Sequence, residues 1–225
     1  MRQKIKQVLQ DKAGSSVEVN RWVRTVRHQK QFSFVEVNDG STQGNLQVIV
    51  ESTLPGYEEL VDTMTTGCAI SVEGILAESP GQGQSLELKA SNVQIIGKCD
   101  ATTYPLQKKR HSFEFLRTIA HLRPRTNTQG AVARIRNALF FATHRFFQSK
   151  GFLFLPSPII TASDCEGAGE MFRVTTIDPA NPPKTPEGEI DYSKDFFSTP
   201  AFLTVSGQLN GEIYALAFSD VYTFG

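Results

Sequence analysis

Over the first hundred residues, apolar and β-branched side chains recur at near-alternate positions in five runs: Val17–Val26, Phe32–Asn38, Asn45–Glu51, Cys68–Ala77 and Leu86–Ile96. A period of two, rich in Val, Ile, Phe and Trp, predicts strands that bury one face. Asn38-Asp39-Gly40-Ser41 and Ser79-Pro80-Gly81-Gln82-Gly83 supply turn chemistry between them. Between the third and fourth runs, Tyr57–Met64 follows a short helical pattern that Gly67 stops. From Lys98 to about Arg110 the chain is polar and irregular, with Pro105 before a basic run, which predicts a hinge. Ser112–His121 can form a short helix. After Gly130, Val132, Ile135, Leu139, Ala142 and Phe146 recur at helical spacing and predict a long amphipathic helix ended by Lys150-Gly151. Phe152–Leu155 reads as a strand, and Pro156 and Pro158 restrict the backbone beyond it. Residues 176–194 hold four prolines and predict a surface insertion or flexible loop. Phe202–Val205, Tyr214–Ala217 and Val221–Phe224 predict further strands.

This order predicts an α+β chain with a barrel in residues 1–100, a hinge in 101–130 and a second domain in 131–225. Five strands with one helix between the third and fourth is the order of a small Greek-key barrel, the OB-fold. Another kind of five-stranded barrel is the alternative. Gly81 and Gly83 belong to a hairpin, because no Lys-Ser/Thr pair or helix follows them as in a phosphate loop.

Composition narrows the class more than the function. The 225 residues are 40% hydrophobic and 20% charged, as in soluble proteins, and no apolar run approaches a membrane span. The first dozen residues lack the apolar core of a signal peptide. Cys68, Cys99 and Cys165 are odd in number and without CxxC spacing, so a cytoplasmic location fits and a disulfide framework or structural zinc does not. The net charge is zero, yet the basic residues cluster. Residues 1–30 hold eight (Arg2, Lys4, Lys6, Lys12, Arg21, Arg24, Arg27, Lys30), and residues 108–145 hold nine against Glu114 alone. Such stretches suit a phosphate backbone or a solvated helix face equally well.

The candidate chemistry is that of binding. No serine or cysteine nucleophile stands with a base, no metal set is arguable, and His28, His111, His121 and His144 are scattered. Phe32 and Phe34 share one strand face; they are either core aromatics or a solvent-facing platform on which bases stack.

Longer stretches carry a resemblance. KGFLFLPSPII at 150–160, a helix end, Gly-aromatic pair, strand and proline, resembles motif 1 of the class II aminoacyl-tRNA synthetases. AHLRPRTNTQGAVARIRNAL at 120–139, TASDCEGAGEMFRV at 161–174, YSKDFF at 192–197 and LTVSGQLNGEIYA at 203–215 resemble the bacterial asparaginyl branch of their aspartate/asparagine/lysine subgroup. The resemblance implies an OB-fold anticodon-binding domain followed by the first part of an antiparallel-sheet catalytic domain. It implies that Phe34 stacks on the central anticodon uracil, that Gln47 bonds that base's edge and that Arg27 meets the anticodon loop. Glu166 would bind the ammonium of asparagine, with Ser206 and Gln208 contacting the substrate. Where aspartate enzymes carry a lysine, this chain has Gly211 followed by Glu212. Replacing a cation with an acceptor favours a neutral carboxamide over a carboxylate. Asp164 and Glu170 read as local turn or capping groups.

Gly151, Phe152 and Pro158 would lie at a homodimer interface. ATP and Mg²⁺ would serve the ligation of asparagine to its tRNA. The segment whose arginine clamps the ATP phosphate would follow VYTFG, so these 225 residues are expected to hold no catalytic group and to be inactive alone. A truncated, non-catalytic paralogue that binds tRNA or protein is the alternative. A generic single-strand-binding barrel would leave SGQLNGE unexplained.

Overall fold

A computed structural model describes residues 3–81, 83–163 and 171–224. It forms two compact units, residues 1–136 and 137–225.

The first unit is built on a closed barrel of five strands in the order β1-β2-β3-β5-β4. Its elements are α1 (Ile5–Val8), β1 (Ser16–His28), β2 (Phe32–Asn38), β3 (Leu46–Glu51), α2 (Tyr57–Thr63), β4 (Ala69–Glu78) and β5 (Leu86–Gly97). β3 and β5 pair in parallel; the other ladders are antiparallel. Alternation sends Val17, Val19, Val35, Val37, Leu46, Val48, Val50, Ile70, Val72 and Leu88 inward. Each buried aliphatic contributes about 1.5–3 kcal/mol by leaving water. Ile5 and Val8 of α1 and Tyr57 and Leu60 of α2 join the same core.

Two features explain how the strands close. The long β1 pairs β4 through its first half and β2 through its second, with a register shift between Val23 and Thr25 that re-aims it. The β4–β5 ladder shifts between Glu73 and Gly74, where a Cβ on Gly74 would lie 2.1 Å from the Lys89 carbonyl oxygen. Only glycine fits there. The Asn38–Ser41 turn also anchors α1, since Asp39 accepts from the Ile5 N–H at 3.1 Å and faces Arg21 at 3.4 Å. Burial pushes the Asp39 carboxyl up, but hydrogen bonds from Ser41 and Ile5 and the Arg21 charge hold it below its usual range.

The segment expected to be a hinge packs along the barrel. Thr65 donates to the Cys99 carbonyl at 2.5 Å, and a Cβ on Gly67 would meet Cys99 Sγ at 2.8 Å. α3 (Phe113–Thr118) follows, capped by Ser112. Arg125 lies over the Trp22 ring at 5.2 Å, and Arg24 donates to the Arg125 carbonyl and to Asn127 Oδ1. α4 (Asn127–Ser149) starts three residues before Gly130. Thr126 explains this: its carbonyl accepts the Gly130 N–H at 2.9 Å and its hydroxyl the Gln129 N–H. The apolar stripe Val132, Ile135, Leu139 and Phe146 is exposed, and Gly151, at φ +89°, ends the helix as anticipated.

In the second unit, β6 (Leu153–Phe154) pairs in parallel with β10 (Val221–Tyr222). β7 (Ile160–Thr161), β8 (Arg173–Val174) and β9 (Ala201–Leu203) form an antiparallel sheet with β9 central. Tyr222 stacks on Phe147 at 4.6 Å, and its hydroxyl lies 2.7 Å from His144 Nδ1.

One expectation needs correction. Tyr214–Ala217 is not a strand but part of helix α5 (Gln208–Phe218). Its Ala and Leu residues are strong helix formers, and Tyr214 stacks on Phe218 one turn away. The segment 176–194, expected as a surface insertion or flexible loop, is an exposed, turn-rich segment with its own local bonds. Lys184 bridges Ile190, and Asp195 closes the loop by accepting from Thr175 Oγ1 at 2.5 Å, Thr176 N at 2.9 Å and Thr176 Oγ1 at 2.8 Å.

Candidate nucleic-acid interface

The barrel's outer face carries two cross-strand rows over β1, β2, β3 and β5. One row runs Arg27, Phe34, Ile49, Lys89; the next runs Thr25, Glu36, Gln47, Glu87. The three barrel residues singled out from the sequence therefore share this face. Arg27 and Phe34 are direct partners, the guanidinium carbon 4.7 Å from the ring centroid, and Gln47 is one row and one strand from Phe34. Phe32 meets Phe34 edge-on at 4.9 Å.

The choice between core and platform is decided by Ser33. Of Phe32, Ser33 and Phe34, Ser33 is the one fully buried, while Phe32 and Phe34 remain half-exposed. A buried hydroxyl needs partners. Ser33 Oγ lies 2.8 Å from His28 Nδ1 and 2.8 Å from the Tyr57 hydroxyl, which donates to the Gln29 carbonyl at 3.3 Å. With the serine satisfied inside, the two rings stand outside.

Polar side chains on the second row are bonded to one another. Gln47 Nε2 donates to Glu87 Oε2 at 3.2 Å, Ser79 Oγ donates to the same oxygen at 3.2 Å, and Asn45 Nδ2 donates to Glu36 Oε2 at 3.2 Å. Glu36, Ser79 and Glu87 were missed in the sequence. Alternation places Glu87 outward, but its pairing to Gln47 depends on a parallel ladder between strands forty residues apart.

The same unit gathers its basic residues. A crevice of about 1020 Å³ is lined by Arg24 from the first basic stretch and by Lys108, Lys109, Arg110 and Arg125 from the second. Glu36 and Glu114 are the acidic residues on its wall. Stretches far apart in sequence thus form one electropositive concavity suited to a phosphate chain.

Residues 17–96 match the family of OB-fold nucleic acid binding domains. Over 212 residues the chain is 62% identical to the asparagine–tRNA ligase of Protochlamydia amoebophila, covering 94% of this chain and 45% of that protein. The chain belongs to the asparaginyl-tRNA synthetase family. It corresponds to the N-terminal part of such synthetases and spans about half the length of the curated relatives it matches. The ligase of Picosynechococcus is 56% identical over 99% of this chain and 48% of its own. In fold, the chain is similar to the asparaginyl-tRNA synthetase of Pyrococcus horikoshii complexed with asparaginyl-adenylate (TM-score 0.81, 19% identity, 100% of this chain, 47% of that one). The Entamoeba histolytica asparaginyl-tRNA synthetase has the same fold over 99% of this chain and 47% of its own (TM-score 0.76, 19% identity).

In the second unit, three of the four residues expected at an asparagine site lie around the start of α5. Ser206 Oγ accepts from the Gln208 N–H at 3.0 Å, and Gln208 Nε2 donates to Glu212 Oε1 at 2.9 Å. Glu212 is thus a helix residue one turn from Gln208. Glu166, Asp164 and Glu170 lie outside the described residues. A side chain at Gly211 would meet no described atom within 4 Å. Among the residues proposed for an interface between copies, Gly151 and Pro158 are exposed and Phe152 packs on Phe147 at 5.5 Å.

Among the described residues, no cluster of three or more His, Cys, Asp or Glu side chains is arranged to hold a metal ion, and no helix is long and apolar enough to cross a membrane.

Proposed function

We propose that this chain is the anticodon-reading part, and the first part of the amino-acid site, of a cytoplasmic ligase that uses ATP to join asparagine to its tRNA. The observation that supports it most directly is the Arg27–Phe34 pair on the outer barrel face, with the Gln47 amide beside it. A half-exposed ring stacks on a base of any kind and is worth about 1–3 kcal/mol. The guanidinium above it supplies charge for the adjoining phosphate, and Gln47 offers hydrogen bonds to the base edge. The basic crevice continues this surface with sequence-independent phosphate contacts.

For the amino acid, Gln208 and Glu212 present a bonded amide–carboxylate pair without a neighbouring lysine at Gly211. A substrate carboxamide can donate to such a carboxylate, whereas a substrate carboxylate would be repelled. Glu166 is proposed to bind the substrate ammonium, and Gly151, Phe152 and Pro158 to lie where two copies meet. The described residues do not supply a ligand set for Mg²⁺, so the ion is assigned to none of them.

The test is binding of the 225-residue chain to the anticodon stem-loop of tRNA for asparagine, measured by fluorescence anisotropy. Salt-sensitive binding that exceeds binding to an unrelated stem-loop supports the reading. Equal, weak binding to both overturns it.

A further inference from the structure

The two basic stretches of the chain meet a second time, at a smaller cavity of about 240 Å³ between the barrel and the start of α4. Arg24 of β1, Arg125 just before α4 and Arg134 within it line this cavity, together with Trp22. Among the described residues, no aspartate or glutamate stands on its wall.

Each of the three guanidinium groups is partly buried and held by uncharged partners. Arg24 donates to the Arg125 carbonyl and to Asn127 Oδ1. Arg134 donates to the Gly130 carbonyl at 3.0 Å and to the Gly40 carbonyl at 2.7 Å. Arg125 donates to the Tyr104 hydroxyl at 3.3 Å and lies over the Trp22 ring. These partners orient the groups without neutralising them, and each guanidinium carries further N–H donors. The ion pairs among the described residues belong to other arginines, Arg21 and Arg117. The Trp22 indole N–H is also buried without a hydrogen-bond partner.

Three like charges drawn around one small volume repel one another and are costly to remove from water. They are stable together where an anion supplies the missing charge. One guanidinium fork already satisfies a carboxylate, whereas a phosphate group offers oxygens in several directions and up to two charges. The cavity is smaller than the roughly 300–1,000 Å³ of sites that take whole small molecules, which suits a phosphate group with its waters. We infer that this cavity is a phosphate-binding site, in which Arg24, Arg125 and Arg134 clamp one phosphate group and so pin the barrel to the start of α4. The group is either a free phosphate or part of an RNA backbone, and the inference does not depend on base reading by the barrel.

Trp22 is the chain's single tryptophan and lines the cavity, so it reports on the occupant. The test titrates inorganic phosphate into the 225-residue chain at neutral pH, with sodium chloride holding the ionic strength constant, and follows Trp22 fluorescence. A saturable change is expected, half-complete at about 1 mM or below, with a melting temperature that rises with phosphate concentration. Arg134→Gln keeps a donor for the Gly40 carbonyl but removes the charge, and should weaken phosphate binding by about tenfold or more. Arg117→Gln removes an exposed charge outside the cavity and should leave binding within about twofold of the parent. If Arg134→Gln does not fold, Arg125→Gln tests the same loss of charge, read by calorimetry because that arginine lies over the reporter ring. A fluorescence change that does not saturate, or that chloride reproduces, overturns the inference. So does equal weakening by Arg134→Gln and Arg117→Gln. A last arm adds the anticodon stem-loop of tRNA for asparagine. Loss of the phosphate signal assigns the site to the RNA backbone, and its retention assigns the site to a free anion; both support the site. A stem-loop that does not bind tells against the RNA-binding reading above, while the phosphate titration still decides this one.

Discussion

Arg27 and Phe34 face each other across the β1–β2 ladder, with the guanidinium carbon 4.7 Å from the ring centroid on the outside of the barrel. The pair couples a stacking surface to a charge, and the two contributions separate experimentally. Phe34→Ala should weaken stem-loop binding by about 1–3 kcal/mol with little change in salt dependence. Arg27→Ala should flatten the logarithmic salt slope by about 0.7, one phosphate contact on a single strand. Neither side chain belongs to the core, so both variants should keep the parent's circular-dichroism melting curve to within about 0.5 kcal/mol of stability. A Phe34→Ala variant that unfolds would show the ring to be structural.

Gly74 gives a prediction of the opposite kind. Its missing Cβ would lie 2.1 Å from a backbone carbonyl oxygen of β5, and a carbonyl in a ladder cannot step aside as a flexible side chain can. Gly74→Ala should therefore destabilise the barrel by about 3 kcal/mol, at or above the upper end for overpacking, in urea unfolding followed by Trp22 fluorescence. Loss below about 1 kcal/mol, the low end for overpacking, would mean that the β4–β5 register slips to make room.

Much of this architecture is legible in the order of side chains, and its limits are physical. The five barrel strands are readable because alternation is local. The face assignment of Phe34 is not readable, because Phe32-Ser33-Phe34 looks like two core aromatics around a polar residue until His28 and Tyr57 supply partners for the buried serine. Tyr214–Ala217 misleads in the same way: an apolar run of four has no period, and only the continuous helix from Gln208 settles it. The Ser79–Glu87–Gln47 chain depends on a turn and a parallel ladder meeting in space. The linker's docking depends on Arg24 reaching a carbonyl a hundred residues later. The proposal that Glu166 binds the substrate ammonium stands on the resemblance alone.

Cys68 is fully buried beneath the barrel wall, and burial pushes its thiol up to about 11, against an ordinary value near 9. The folded state favours the neutral thiol, so this group does not affect stability below pH 9. As pH rises from 9 towards 11 the unfolded chain releases the proton first, and stability falls across that window. Replacing the thiol with an aliphatic of similar size, Cys68→Val, should remove this part of the alkaline loss in denaturation curves taken at pH 8, 9.5 and 11. In a Cys165→Ser background, iodoacetamide at pH 8 should label the half-buried Cys99 and leave Cys68 unreacted until the chain unfolds. Labelling of both at equal rates in the native protein would contradict the burial.

Asp195 closes the loop of residues 176–194, and it is 6% exposed. Hydrogen bonds from the Thr175 hydroxyl first, and then from the Thr176 N–H, the Phe196 N–H and the Thr176 hydroxyl, hold its carboxyl well below the ordinary range. A depressed carboxylate contributes stability above the unfolded value, near 4, and that contribution is lost only as pH falls further through the folded one. The loop should therefore keep its closure at pH 5, where ordinary carboxylates begin to be protonated. Asp195→Ala removes the acceptor while leaving the Thr176 N–H without its partner, and should raise proteolytic cleavage within 176–194 by about tenfold or more at neutral pH. Asp195→Asn retains an acceptor oxygen without the charge, so its cleavage rate should fall between parent and alanine variant. Because β9 follows the loop and leads to Ser206 and Gln208, opening it should also loosen the start of α5, seen as faster amide exchange at Gly211, whose N–H donates to the Gly207 carbonyl at 2.8 Å. Faster cleavage in the loop with unchanged exchange at Gly211 would show that the clasp serves the insertion alone.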